Sequence, residues 1–128
     1  MSKRLPRTNA VYLRDILDAT TKLKELIQGM DYESFQEDWR TYHTAFSLLE
    51  IIGEASGRIT AEFQAQNPTI PWVNMKAMRK ALIHGYANVE LDVVWNTLTH
   101  DIPPLHQQIT SLLRSAVPEA RQPDERER

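Results

Sequence analysis

The chain is predicted to be all-α, an up-and-down antiparallel bundle of four to five helices. Three observations carry that expectation. Apolar residues recur every three or four positions through most of the sequence, the period of a helix with one buried face. No segment alternates apolar and polar residues in the manner of a half-buried strand. The breaks between the periodic segments are short and carry glycine or proline, which suits antiparallel neighbours.

Residues 1–8 read as a loose polar N-terminus, with Thr8 or Asn9 placed to cap the first helix by accepting from its free N–H groups. Tyr12, Ile16, Ala19, Leu23 and Leu26 mark the buried face of that helix, and Gly29 supplies the left-handed residue that ends it. Asp31–Phe35 reads as a short cap or turn. A long helix is expected from about Asp38 to Gln66, with Trp39, Tyr42, Phe46, Leu49, Ile52, Ser56, Ile59 and Phe63 in one stripe. Leu48, Ile51 and Ala55 form a second stripe, so this helix must be buried on more than one side, as a central helix, a dimer interface or both. Ser56-Gly57 is a candidate bend, because glycine weakens a helix interior by about 1 kcal/mol relative to alanine.

Asn67-Pro68-Thr69-Ile70-Pro71 breaks the pattern, and Pro71 suits the first turn of a helix running from Trp72 to about His84, where Gly85 stops it. The last helix starts near Glu90. Val94, Leu98, Ile102, Leu105, Ile109, Leu112 and Ala116 keep one face across Pro103-Pro104, which predicts a kink there rather than an end. The helical domain thus spans residues 9–117, and 118–128 is expected to be a disordered tail, charged, balanced in sign and without aromatics.

The whole-chain numbers exclude more than they assert. A chain of 128 residues fits one domain with a real core, and 41% apolar with 25% charged residues is ordinary globular usage. The formal net charge of -2 does not advertise a nucleic-acid partner, so any such binding needs a local basic patch. Cysteine is absent, which removes disulfides and thiolate metal sites and allows a reducing compartment. No signal-peptide core or membrane-length apolar run is present, so a soluble cytoplasmic protein without membrane contact is expected.

The densest chemistry lies in Arg79-Lys80-Ala81-Leu82-Ile83-His84-Gly85-Tyr86, spaced R-x4-H-x-Y. Arginine presents a permanently charged planar fork suited to phosphate, and histidine moves a proton near neutral pH. On a regular helix, however, Arg79 and His84 point about 140° apart. They converge only if the helix unwinds before Gly85 or if a second subunit supplies the partner. The plainer alternative is that Lys80 and His84 are cations favoured at a helix C-terminus. His43, Ser47, Glu50 and Glu54 lie along one edge of the long helix and read as a polar strip beside an interface, with a glutamate able to support an active site. A second His/Glu motif, which a carboxylate metal pair would need, is missing, so no metal site is assigned. His100 and His106 are expected to face solvent, and Trp39, Trp72 and Trp95 to anchor the core. No nucleotide loop, nucleophile elbow or zincin motif occurs, and no cofactor is implied.

RKALIHGY at 79–86 resembles the HEPN superfamily, and within it the HepT-like toxins. YLRDILDA at Tyr12–Ala19, LEIIGEA at Leu49–Ala55, NPTIPW at Asn67–Trp72 and VVWNTLTHDIPPLHQQI at Val93–Ile109 match in the same order. The resemblance implies a homodimer that brings two Arg/His motifs together and cleaves RNA without metal, with Arg79 and His84 catalytic. Lys80, Glu50 and Glu54 are candidate supporting residues. It also implies an MntA-like nucleotidyltransferase antitoxin that transfers AMP to Tyr86, in a hetero-oligomer with the toxin. Two positions depart from the family's usual pattern: Lys80 stands where a polar uncharged or acidic residue is common, and Ser47 where an arginine is common. Lys80 and the acidic balance speak for a rival reading, a non-catalytic helical module that partners a nucleotidyltransferase or binds nucleotide or RNA.

Overall fold

The computed structural model describes the backbone of residues 7–84 and 90–116, and the side chains of residues 9–79 and 90–115. Gly85, Tyr86, the tail 118–128 and most of the N-terminal segment 1–8 lie outside the described residues. In chain order the helices are α1 (Arg7–Leu26), α2 (Tyr32–Glu37), α3 (Trp39–Arg58), α4 (Ala61–Gln66), α5 (Trp72–His84), α6 (Leu91–Asn96) and α7 (Ile102–Ala116), with a π turn at Thr97–Asp101 joining the last two. The predicted all-α bundle is therefore observed, and among the described residues there is no strand. None of the described helices is long and apolar enough to cross a membrane.

α3 lies between α1 and α5, and α7 packs on the other flank of α1. Asn9 near the start of α1 bonds Thr60 just beyond the end of α3, so these two helices run antiparallel. Gly53 lies against Arg79 and Gly57 faces Lys76, so α3 and α5 are antiparallel as well. The core runs continuously through Leu13, Ile16 and Leu23 of α1, Ile52 of α3, Met75 of α5, and Leu98, Ile102 and Ile109 of the last rod. Each of these large side chains, fully withdrawn from water, contributes about 1.5–3 kcal/mol. α3 is the central helix its double stripe predicted. Its second stripe divides, however: Leu48 and Ala55 are buried, but Ile51 is 45% exposed.

Four local expectations need correction. Thr8 and Asn9 do not cap α1, which already includes Arg7. Asn9 is buried inside the helix, where its amide oxygen accepts from Thr60 N at 3.1 Å and its amide nitrogen donates to Thr60 Oγ1 at 3.2 Å. That clamp explains the second correction. The single helix expected over Asp38–Gln66 breaks at Ile59-Thr60, where Thr60 caps α4 by accepting from Phe63 N and Gln64 Nε2 satisfies the carbonyls of Ser56 and Ile59. By contrast, of the cap or turn expected at Asp31–Phe35 the cap is observed: Asp31 and Ser34 form a reciprocal capping box that opens α2, and Phe35 is buried against Trp95. Trp39 is no core anchor. As the first residue of α3 it sits beyond the packed length of the helix, 58% exposed, with the Arg40 guanidinium 5.0 Å above its ring. Finally, His106 is half-buried rather than solvent-facing, whereas His100 is exposed as expected.

The kink expected at Pro103-Pro104 takes the form of the π turn just before them, in which Ile102 N donates to Thr97 O. Two prolines cannot donate to the preceding turn, and widening the helix by one residue accommodates them while the apolar face continues. Val94, Leu98, Ile102, Leu105 and Ile109 are all buried, as their spacing predicts.

Candidate active site

Two glycines decide how α5 meets α3. A Cβ at position 53 would overlap the Arg79 side chain and lie 3.0 Å from the Arg79 backbone nitrogen. Only a residue without a side chain permits this approach. One turn on, Gly57 faces the aliphatic end of Lys76 at 4.0 Å. Buried Ser56, between them, turns its hydroxyl inward onto the Gly53 carbonyl. The small surface Gly53, Ser56 and Gly57 therefore lets the Arg79 backbone lie directly on α3.

That approach brings Arg79 beside Glu54. Arg79 Nε lies 3.6 Å from Glu54 Oε1, while Glu54 Oε2 accepts from Arg58 Nη2 at 3.0 Å. One carboxylate thus serves two arginines, one oxygen each. The Arg79 Nε atom is buried and, among the described residues, makes no hydrogen bond. Its guanidinium is tethered by charge rather than locked by a directed bond, and the side chain remains 42% exposed. Arg58 is held more firmly: its hydrogen bond to Glu54, then its interaction with Tyr12, raise its pKa above the ordinary arginine value.

Of the residues singled out in the sequence, Glu54 and Arg79 are brought together. Glu50 stands on the same exposed edge of α3 one turn earlier, without reaching Arg79. It lines a groove of about 400 Å3 with Tyr12, Asp15, Ile51, Glu54 and Arg58. His43 and Ser47 continue the exposed edge, as the predicted polar strip requires, and His43 sits among the rings of Trp39, Tyr42 and Phe46. Among the described residues no three His, Asp or Glu side chains cluster as a metal site would need. The side chains of Lys80 and His84 and the whole of Tyr86 lie outside the described residues. The backbone of α5 is helical through His84, so the turn between Arg79 and His84 is that of a regular helix.

Sequence reasoning missed Gly53 and Arg58. Both left a signal: Gly53-x3-Gly57 is the small-residue spacing of a close helix crossing, and Arg58 follows Glu54 at i+4.

The family described as ribonuclease HepT-like matches residues 16–112. A protein of Thermococcus cleftensis named "Probable ribonuclease HepT" is 38% identical over 108 residues, covering 84% of this chain and 98% of the relative. A "Putative RNase" of Caldanaerobacter subterraneus subsp. tengcongensis is 33% identical, covering 84% of this chain and 96% of its own. Another of that name from Methanocaldococcus jannaschii is 31% identical over 77% of this chain and 90% of its own. No solved structure shows significant similarity to the chain.

Proposed function

The chain belongs to the HepT-like ribonuclease family, and we propose that it is a metal-independent endoribonuclease whose site is completed across a homodimer. The observation that carries this reading is the placement of Arg79 on the glycine surface of α3, charge-tethered to Glu54 and still open to solvent. A guanidinium so held can meet a phosphate from outside while its inner edge is fixed.

On this reading His84 of one protomer takes the proton from a ribose 2′-hydroxyl. The 2′-oxygen attacks phosphorus, the bond to the 5′-oxygen breaks, and the leaving oxygen takes a proton from His84 of the second protomer. Arg79 carries the charge that develops on the non-bridging phosphoryl oxygens. The products are a 2′,3′-cyclic phosphate and a 5′-hydroxyl. Regular helical geometry separates Arg79 from His84 by about 140° within one α5, which favours a site shared between two chains. Lys80 adds positive charge beside Arg79 in sequence, and Glu54 acts through Arg79 as a positioning residue.

The same reading makes the protein the toxin of a toxin–antitoxin pair. Its antitoxin is a small nucleotidyltransferase of the MntA type that moves AMP from ATP to the Tyr86 hydroxyl and releases pyrophosphate. Phosphate charge and adenine bulk two residues from His84 repel and obstruct a polyanionic substrate.

The test is incubation of purified, unmodified protein with RNA in chelator. Cleavage with cyclic phosphate ends is expected, and Arg79→Ala and His84→Ala should each lower its rate by at least 100-fold. Undiminished cleavage by His84→Ala would refute the catalytic assignment. Intact mass after incubation with the partner enzyme and ATP tests the switch, with added AMP expected on the wild type and none on Tyr86→Phe.

A further inference from the structure

A wide groove lies away from Arg79. It measures about 950 Å3 and lies between the second half of α1, the Asn67–Ile70 turn and α7. Among the described residues of its lining only Ile70 and Leu112 are apolar, and none is acidic. Lys24, His106 and Arg114 contribute its basic groups, with Gln107, Ser111 and Ser115 among its neutral polar ones. Gln108 holds the two walls together by donating to Thr69 O at 3.1 Å. Drug-like ligands favour apolar pockets with a few polar groups. This lining is the reverse, an open polar trough suited to a hydrated anionic chain.

His106 adds a directional feature. Thr20 Oγ1 spends its one proton on Leu17 O at 3.0 Å, so in its 3.1 Å contact with His106 it accepts from Nδ1–H. The other ring nitrogen, Nε2, is then an acceptor in the neutral ring. Burial, and secondly the nearby Lys24 charge, lower the His106 pKa and favour that neutral form. The trough therefore combines a lysine suited to phosphate with a ring acceptor suited to a sugar hydroxyl or a nucleobase N–H. The acidic neighbour Glu25 lines an adjoining, smaller groove that shares Lys24 and His106 with the trough.

We propose that the α1–α7 groove is an RNA-anchoring site separate from the cleavage site, with Lys24 contacting a backbone phosphate and His106 Nε2 accepting from the adjoining nucleotide. The choice of RNA over other polyanions rests on the ribonuclease reading; the presence of an anion-binding groove does not. Arg79 is not part of its lining, and α5 extends from the groove's Asn67–Ile70 wall toward Arg79, so a strand longer than a dinucleotide is needed to occupy both.

The experiment measures binding of a fluorescein-labelled single-stranded oligoribonucleotide against salt concentration, in the Arg79→Ala protein so that the RNA stays intact. Lys24→Gln should weaken binding several-fold and lower the slope of log K against log salt by about 0.7, the value for one lost single-strand phosphate contact. His106→Ala should weaken binding while leaving the slope unchanged. Lys22→Gln, an exposed lysine of α1 paired with Asp18 outside the groove, should change neither. An unchanged slope in Lys24→Gln overturns the proposal, even if the wild type cleaves RNA. Free AMP competing as well as the unlabelled oligonucleotide also overturns it, in favour of a mononucleotide site. Groove-dependent binding by a wild type that cleaves nothing would leave the anchor standing and remove the ribonuclease reading instead.

Discussion

At the scale of single residues the deciding contacts are small. Position 53 admits no side chain, and the contrast with position 57 can be measured. Alanine gains up to about 1 kcal/mol over glycine in a helix interior, whereas overpacking a tight contact costs about 1–3 kcal/mol. Gly53→Ala meets the Arg79 backbone and side chain, so the cost should win and the denaturation midpoint should fall. Gly57→Ala meets only the flexible end of Lys76 at 4.0 Å, so the gain should win, by about 0.5–1 kcal/mol. If both substitutions move the midpoint the same way, the close approach of α3 and α5 is wrong. Glu54→Gln separates stability from positioning. Its ion pairs are largely solvent-exposed and worth under about 1 kcal/mol, so the midpoint should barely move while RNA cleavage falls.

His106 provides a residue-scale prediction in pH. Its folded-state pKa lies below its ordinary value of 6.5, because burial, and then Lys24, disfavour the charged ring. The unfolded chain therefore binds the proton more readily. The stability contributed by neutral His106 is complete above about pH 6.5 and declines as the pH falls through the lowered folded value. In urea titrations, His106→Gln should flatten the stability profile on the acid side of that point. An equally steep decline in the variant would place the acid sensitivity elsewhere.

At the scale of elements the prominent event is the break between α3 and α4. Asn9, from the other side of the sequence, grips the Thr60 cap with both ends of its amide. Asn9→Ala should cost about 1–3 kcal/mol, because it leaves buried polar groups without partners. Thr60→Ala should cost about 1 kcal/mol as a lost cap. The double variant should cost less than the sum of the two, since they share the same bonds. The break shows where reading by periodicity stops. Ile59 and Phe63 keep the i, i+4 spacing of one helix and both are buried, so the apolar pattern passes through the break unchanged. What ends α3 is a hydrogen bond to a residue 51 positions away, which no local pattern encodes. The last rod was more legible because its prolines announce themselves, although the π turn that absorbs them does not. Glu54 was legible as part of an exposed strip. Its pairing with Arg79 was not, because it depends on how closely two helices approach. Trp39 and His106 were misread for related reasons: periodicity predicts a face, but not where a neighbouring helix ends or which side chain it offers.

At the scale of the whole molecule, α3 is covered by α1 and α5, yet among the described residues one lengthwise edge remains open. Ile51 is 45% exposed and lines a groove with Tyr12 and Ala55. This edge also carries Glu54 and so adjoins Arg79. In the proposed homodimer it is the surface through which a second copy would approach, and sedimentation equilibrium of the wild type should give twice the monomer mass. Ile51→Glu should shift that mass toward the monomer and reduce RNA cleavage in step, with its circular dichroism spectrum unchanged. A cleaving monomer would dismiss the shared site.

The contact between Gly53 and Arg79 also bears on how portable the proposed chemistry is. The R-x4-H-x-Y segment looks like a cassette that could be grafted onto any helix. Its arginine is seated, however, by what the facing helix leaves out. Copied onto a scaffold whose opposing helix carries ordinary side chains, the same eight letters would hold Arg79 at the wrong depth and out of reach of a Glu54 equivalent. The transferable unit is therefore a pair of strings far apart in sequence, RKALIHGY and IGEASGR, and the second is needed for the space it leaves.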